Sequence, residues 1–163
     1  MLVILGLGND LLGDDAVGLL AAERCRGRFG PDVAVRMSAQ SGLYLLEQLE
    51  DCDDAILLDS TSGERPGRIR ELDLGAVRPV VVPSAHYAGL PEVLAVARHA
   101  GLRVPSRLRI LAVEIEGAQT IGAHPNGPVL SAVPELAERA VAAAREWGYT
   151  EVSAGGGERT STG

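Results

Sequence analysis

The sequence lacks the excess of positive charge that binding to nucleic acids or anionic membranes requires. Its 163 residues include 15 Lys and Arg but 22 Asp and Glu, which gives a formal net charge of −7. Nucleic acids and anionic membranes both attract basic surfaces. We therefore expect neither a nucleic acid nor a membrane among its partners.

Cysteines and long hydrophobic runs are also scarce. Cys25 and Cys52 do not have the spacing of a metal or redox motif. Cys25 falls on the apolar side of a predicted helix, which favours a small buried side chain over a reactive thiol. This usage fits a reducing compartment, and we expect a cytoplasmic protein. The apolar start is too short for a signal peptide or a membrane span, so no targeting segment is predicted.

Several common enzyme motifs are missing as well. The Gly-x-Ser-x-Gly motif of serine hydrolases and the His-Glu-x-x-His motif of zinc proteases do not occur. A dinucleotide site would need a third glycine after Gly6 and Gly8, but Leu11 stands there, and the acids that follow would repel a pyrophosphate. Residues 6–9 resemble the start of peptidyl-tRNA hydrolases, but a tRNA ligand needs a basic surface.

The pattern of apolar and polar residues along the chain predicts a single α/β domain. Strand patterns occur at residues 2–5, 33–37, 55–59, 68–74 (an edge strand) and 108–114, and helical patterns lie mostly between them. The last helix is predicted to begin at Ser131. Strands that alternate with helices predict a three-layer fold, a mostly parallel twisted sheet with helices on both faces. We assign residues 1–150 to this domain and residues 151–163, rich in Gly, Ser and Thr, to a disordered tail.

Three residues capable of metal or proton chemistry follow strand or loop signals. Asp15 comes after the first strand, Asp59 ends the strand at 55–59, and His86 lies in a later loop. The carboxyl ends of neighbouring strands converge in doubly wound sheets. Two carboxylates and an imidazole are ligands suited to a divalent transition metal, which could polarise a carbonyl or activate water.

Each of these residues also has a simpler interpretation. Asp14 or Asp15 could only cap the helix that follows, and Asp59 could only cap a turn at residues 60–63. A loop histidine such as His86 is commonly solvated. His99 is predicted to lie on a helix surface, and His124 is a weaker ligand candidate. Residue spacing alone leaves these alternatives open.

The opening run from Gly6 to Gly18, GLGNDLLGDDAVG, resembles the signature of the hydrogenase maturation proteases. These endopeptidases remove the C-terminal extension from the large-subunit precursor of nickel–iron hydrogenases. The similarity continues in register through residues 41–46, 56–59, 84–90 and 114–131, and only the chain after about Tyr149 falls outside it. The fold that it implies is the phosphorylase/hydrolase-like α/β domain.

The resemblance implies that Asp15, Asp59 and His86 are the metal-binding and catalytic residues of an aspartic-type endopeptidase. The metal implied is a nickel ion carried by the substrate, for which other divalent ions such as zinc or cadmium could substitute. The implied partner is a hydrogenase large-subunit precursor, and a monomer is expected. In the family the first acid is often Glu, so Asp15 is a shorter version.

One stretch departs from the family pattern. The usual Asp-Gly-x-Thr before the second helix is replaced by residues 37–40, Met-Ser-Ala-Gln, which affects substrate recognition more than chemistry. Two other functions stay open at this point. One is a metal-sensing or chaperone-like protein that binds the precursor without cleaving it, and the other is a nucleotide-binding α/β domain.

Overall fold

A computed structural model describes residues 1–9, 11, 13–72, 86, 89–117 and 121–152. Residues 153–163 of the tail predicted at 151–163, and the last two residues of the predicted edge strand, lie outside these ranges. The tail assignment therefore stays a prediction.

The centre of the molecule is a five-stranded sheet in the order β2-β1-β3-β5-β4. Its strands are β1 (Leu2–Leu7), β2 (Val33–Ser38), β3 (Asp54–Ser62), β4 (Ile69–Leu72) and β5 (Arg107–Ile115). Strands β2, β1, β3 and β5 are parallel, and β4 pairs antiparallel with β5 at one edge. The predicted mostly parallel sheet with an edge strand is confirmed.

Helices cover both faces of the sheet, as the three-layer prediction required. They are α1 (Val17–Cys25), α2 (Leu46–Leu49), α3 (Leu90–His99) and α4 (Gly127–Glu146), and short 3-10 turns at Gly13–Ala16 and Gly42–Leu45 precede α1 and α2. One buried cluster joins the sheet to α1 and α4. The second joins the other face to α2 and α3. Because both faces are covered, all six residues of β1 are buried.

Helix α1 packs unusually close to the sheet at Gly18. A Cβ atom on Gly18 would lie 2.2 Å from the Leu58 carbonyl oxygen and 2.3 Å from that of Leu7. A side chain of any size would therefore push α1 away from β1 and β3.

Two predicted boundaries were wrong. The last helix begins four residues before Ser131, because the side chain of Asn126 accepts a hydrogen bond from the Val129 N–H (3.1 Å) and caps it. Strand β3 continues through Ser62 and not only to residue 59 as predicted, so residues 60–62 are not the turn that the alternative interpretation of Asp59 required. Because their side chains are polar, the sequence pattern did not predict a strand there; pairing with β5 on one side stabilises it.

No helix in the described ranges has the length and apolar character needed to cross a bilayer.

Candidate functional site

The candidate site lies where the sheet changes its winding direction. Strand β1 is hydrogen-bonded to β2 on one side and to β3 on the other. The chain leaves β1 toward β2 and leaves β3 toward β5. Because these directions are opposite, a crevice opens between β1 and β3 at the carboxyl edge of the sheet. Asp15 follows β1 on the short 3-10 turn, and Asp59 lies within β3. The first two predicted site residues therefore lie at this edge, one on the turn after β1 and one within the neighbouring strand β3.

The structure brings His86 directly onto Asp59. The His86 Nδ1 lies 3.0 Å from Asp59 Oδ2 and 3.2 Å from Asp59 Oδ1. The carboxyl group is fully buried and the histidine side chain is 14 % exposed. Oδ1 also accepts the N–H of Ser60 at 2.7 Å. The interpretation of His86 as a solvated loop residue was wrong, since burial and a carboxylate fix its ring.

Asp15 is fixed by two other donors. Its Oδ1 accepts the Ser60 hydroxyl at 2.6 Å, and its Oδ2 accepts the Asn9 N–H at 3.0 Å. Ser60 therefore links the two acids, because its N–H bonds Asp59 and its hydroxyl bonds Asp15. Each carboxylate is oriented before any substrate arrives.

The charge on these acids favours a protonated histidine. The hydrogen bond to Asp59 raises the pKa of His86 above its usual value, against the opposing effect of burial, and the charges of Asp59 and Asp15 add to the rise.

Helix capping does not explain the acid pair. The N-cap residue of α1 is Ala16, which has no capping side-chain bond. Asp14 accepts both the backbone N–H and the side-chain amide of Asn126, each at 2.5 Å. The Gly122 N–H also donates to the Leu11 carbonyl at 2.8 Å. Asp14 thus helps hold residues 121–126, which precede α4, beside the candidate site.

The remaining histidines are exposed. His99 lies on the surface of a helix as predicted, at the end of α3, and His124 lies in the segment 121–126 that precedes α4. Among the residues that the structure places, no three His, Cys, Asp or Glu side chains converge closely enough to hold an ion together. Metal binding by Asp15, Asp59 and His86 stays a prediction.

Comparison with known proteins identifies the family, although no protein-family model matches the chain. The hydrogenase expression/formation protein HupD of Bradyrhizobium diazoefficiens is 30% identical over 160 residues, which cover 91% of this chain and 80% of that protein. The hydrogenase 2 maturation protease of Escherichia coli is also 30% identical, over 93% of this chain and 94% of its own length. This chain belongs to the hydrogenase maturation proteases.

The fold of this maturation protease agrees with that assignment. The hydrogenase maturating endopeptidase HybD from E. coli superposes with a TM-score of 0.74 at 25% identity, covering 93% of this chain and 96% of that one. The resemblance inferred from the opening motif is confirmed, and so is the activity class, an enzyme that hydrolyses peptide bonds.

Sequence reasoning missed two residues that build the site of this maturation protease. Ser60 and Asn9 orient Asp15, yet each reads in the sequence as ordinary turn material. Ser60 could have been predicted as a site residue because it directly follows Asp59, and neighbouring residues at the end of a strand lie at the same edge of the sheet.

Proposed function

We propose that this maturation protease removes the C-terminal extension of a nickel–iron hydrogenase large-subunit precursor after nickel has been inserted. In this proposal Asp15, Asp59 and His86 meet the nickel ion that the precursor carries. The observation that supports it most is the contact of His86 with the fully buried Asp59, beside the preoriented Asp15.

The donor chemistry of these residues fits such an ion. Imidazole nitrogen and carboxylate oxygen are both ligands for divalent nickel. The contact of His86 Nδ1 with Asp59 Oδ2 at 3.0 Å places an imidazole nitrogen and a carboxylate oxygen side by side, so both would meet one incoming ion.

The two acids that would meet the ion are held differently. Asp59 is fully buried against the histidine, while the carboxylate of Asp15 is held by Ser60 and Asn9. A divalent ion beside the scissile bond polarises the carbonyl or lowers the pKa of bound water. Bringing the ion and the peptide bond together on fixed side chains supplies the orientation that the reaction needs. A precursor without metal would give these residues little to bind, so metal content would set specificity.

Two substitutions test the proposal. His86→Ala and Asp15→Asn should abolish release of the C-terminal fragment from nickel-loaded precursor, while far-UV circular dichroism and melting stay near those of the wild type. His99→Ala is the matched control, because that histidine is exposed at the far end of α3, and it should process normally.

The outcomes separate this proposal from its alternatives. Loss of folding in both variants would assign these residues a structural role. Variants that fold and still cleave would overturn the ligand assignment. If the wild-type protein binds the nickel-loaded precursor but releases no fragment, the non-cleaving metal-sensing or chaperone-like function would hold instead.

A further inference from the structure

A second polar site lies at the same edge of the sheet as the His86–Asp59 contact. A cavity of about 300 Å³ opens beside the start of β4, and its lining is mostly polar: Gly63, Glu64, Arg65, Arg68, Arg70 and Glu114. Three arginines face two glutamates there, which leaves one positive charge in excess. This local surplus is notable in a chain whose net charge is −7.

The cavity is built around Glu114, which is buried at the end of β5. Its side chain is 5% exposed, and its Oε2 accepts the Arg65 N–H at 3.1 Å. Its backbone N–H donates to the Arg68 carbonyl, and its own carbonyl accepts the Gly67 N–H. A Cβ on Gly63 would lie 2.5 Å from the Glu114 side chain, so a larger residue there would displace the carboxylate. The loop is therefore fixed around the carboxylate.

The arginine side chains are held near Glu114 but do not form close hydrogen bonds with it. The nearest nitrogens of Arg68 and Arg70 lie 3.8 Å and 3.7 Å from Oε1, beyond ordinary hydrogen-bond length, and about half of each side chain is exposed. For Arg65, which is also exposed, no ion pair is found within the described ranges. Within the described ranges, Glu114 therefore satisfies few of the donors that the three guanidinium groups carry.

The sheet register places this cavity in line with Asp59. Asp59 on β3 and Arg70 on β4 are both register partners of Ala112 on β5. Register partners on neighbouring strands point to the same face, and two strand spacings amount to about 10 Å. That distance is spanned by about three residues of extended polypeptide.

We propose that Arg65, Arg68 and Arg70 form a subsite that binds a carboxylate of the polypeptide substrate, about three residues from the group held at Asp59 and His86. Guanidinium groups bind carboxylates through paired, charge-assisted hydrogen bonds. The carboxylate is either an acidic side chain or the free C-terminus, since these are the anions of an unmodified polypeptide. This subsite depends on the proposed function for its role in processing, but its anion binding does not.

The binding experiment uses three peptides and the full chain. Acetyl-Ala-Ala-Glu-Ala-Ala-amide carries a side-chain carboxylate, and acetyl-penta-alanine carries a C-terminal carboxylate. The third peptide, acetyl-penta-alanine amide, carries no carboxylate. Titrations followed by the NMR signals of the arginine Nε–H groups should saturate with one or both of the first two peptides and not with the third. Which of the two binds more tightly identifies the source of the carboxylate.

Variants distinguish a binding site from simple neutralisation of Glu114. Arg68→Gln and Arg70→Gln should each weaken peptide binding by about tenfold, whereas Arg139→Gln, an exposed arginine paired with Glu135 on α4, should leave it unchanged. Glu114→Gln should strengthen binding several-fold, because it removes the competing carboxylate. If the arginines serve only Glu114, the wild type will bind neither acidic peptide, and the proposal fails. A melting curve confirms that each variant is folded.

Cleavage of the precursor tests the subsite independently of peptide binding. Arg70→Glu should raise KM for the nickel-loaded precursor with little change in kcat, as expected for lost substrate binding. Normal peptide binding without any precursor cleavage would contradict the proposed function and leave the subsite standing. Cleavage by a protein that binds neither acidic peptide would contradict the subsite and leave the proposed function standing.

Discussion

Replacing Gly18 with alanine should separate α1 from the sheet, and the structure fixes the size of the effect. The new methyl group would lie 2.2 Å and 2.3 Å from two backbone carbonyl oxygens, whereas ordinary contacts begin at 3.4 Å. Helix α1 would have to move by about 1 Å, and a packed interior resists such a shift. Its residues Val17, Ala21 and Cys25 are fully buried against that face, so their packing would be disturbed too.

We expect Gly18→Ala to lower the free energy of unfolding by about 3 kcal/mol, near the top of the range for overpacking. This corresponds to a fall in Tm of about 6–12 °C for a chain of this size. Thermal and urea unfolding followed by far-UV circular dichroism would measure it. The control is Gly127→Ala at the first turn of α4, where nothing lies within 4 Å of the added carbon, and it should be neutral. A Gly18→Ala protein within 1 kcal/mol of the wild type would refute the close-packing argument, because about 1 kcal/mol is the lower limit for overpacking.

Two further predictions follow from the hydrogen bonds at the site and at α4. Asn126→Ala should destabilise the protein by about 1–2 kcal/mol in urea unfolding. Ser131→Ala should change the stability little, since Asn126 is the residue that caps the helix. Equal effects of the two substitutions would contradict the assignment of Asn126 as the cap. The pKa of His86, followed by NMR of its ring protons in metal-free protein, should lie above that of an unperturbed histidine and fall in Asp59→Asn. Because this pKa is raised on folding, the stabilisation from the contact should be complete below about pH 6.5 and be lost as the pH rises through the folded-state value. An unchanged His86 titration in Asp59→Asn would show that the contact does not set it.

Much of the fold could be predicted because the central strands are buried on both faces. Residues 2–5 and 55–58 are continuous apolar runs, and such runs are typical of parallel strands covered by helices. The edge strand was predicted from alternation, which survives where one face meets solvent. Boundaries were less predictable where polar residues continue a strand. Ser60, Thr61 and Ser62 extend β3 because pairing with β5 outweighs their local preference for a turn.

The candidate site could be predicted in its components but not in its connections. Asp15, Asp59 and His86 were identified by their places after strand or loop signals and by the family resemblance. The direct contact of His86 with Asp59, and the Ser60 link between the acids, depend on how distant segments pack. Residues 27 or 45 positions apart carry no local signal of a hydrogen bond between them. The same reason hid the Asp14–Asn126 pair, which spans 112 residues.

The most direct test of the account compares two forms of one substrate. Wild-type protein would be incubated separately with a hydrogenase large-subunit precursor loaded with nickel and with the same precursor stripped of metal. Mass spectrometry would measure the masses of the products. The account predicts a C-terminal fragment from the nickel-loaded precursor alone. Equal cleavage of both forms would contradict the proposal that Asp15, Asp59 and His86 act through the metal that the precursor carries.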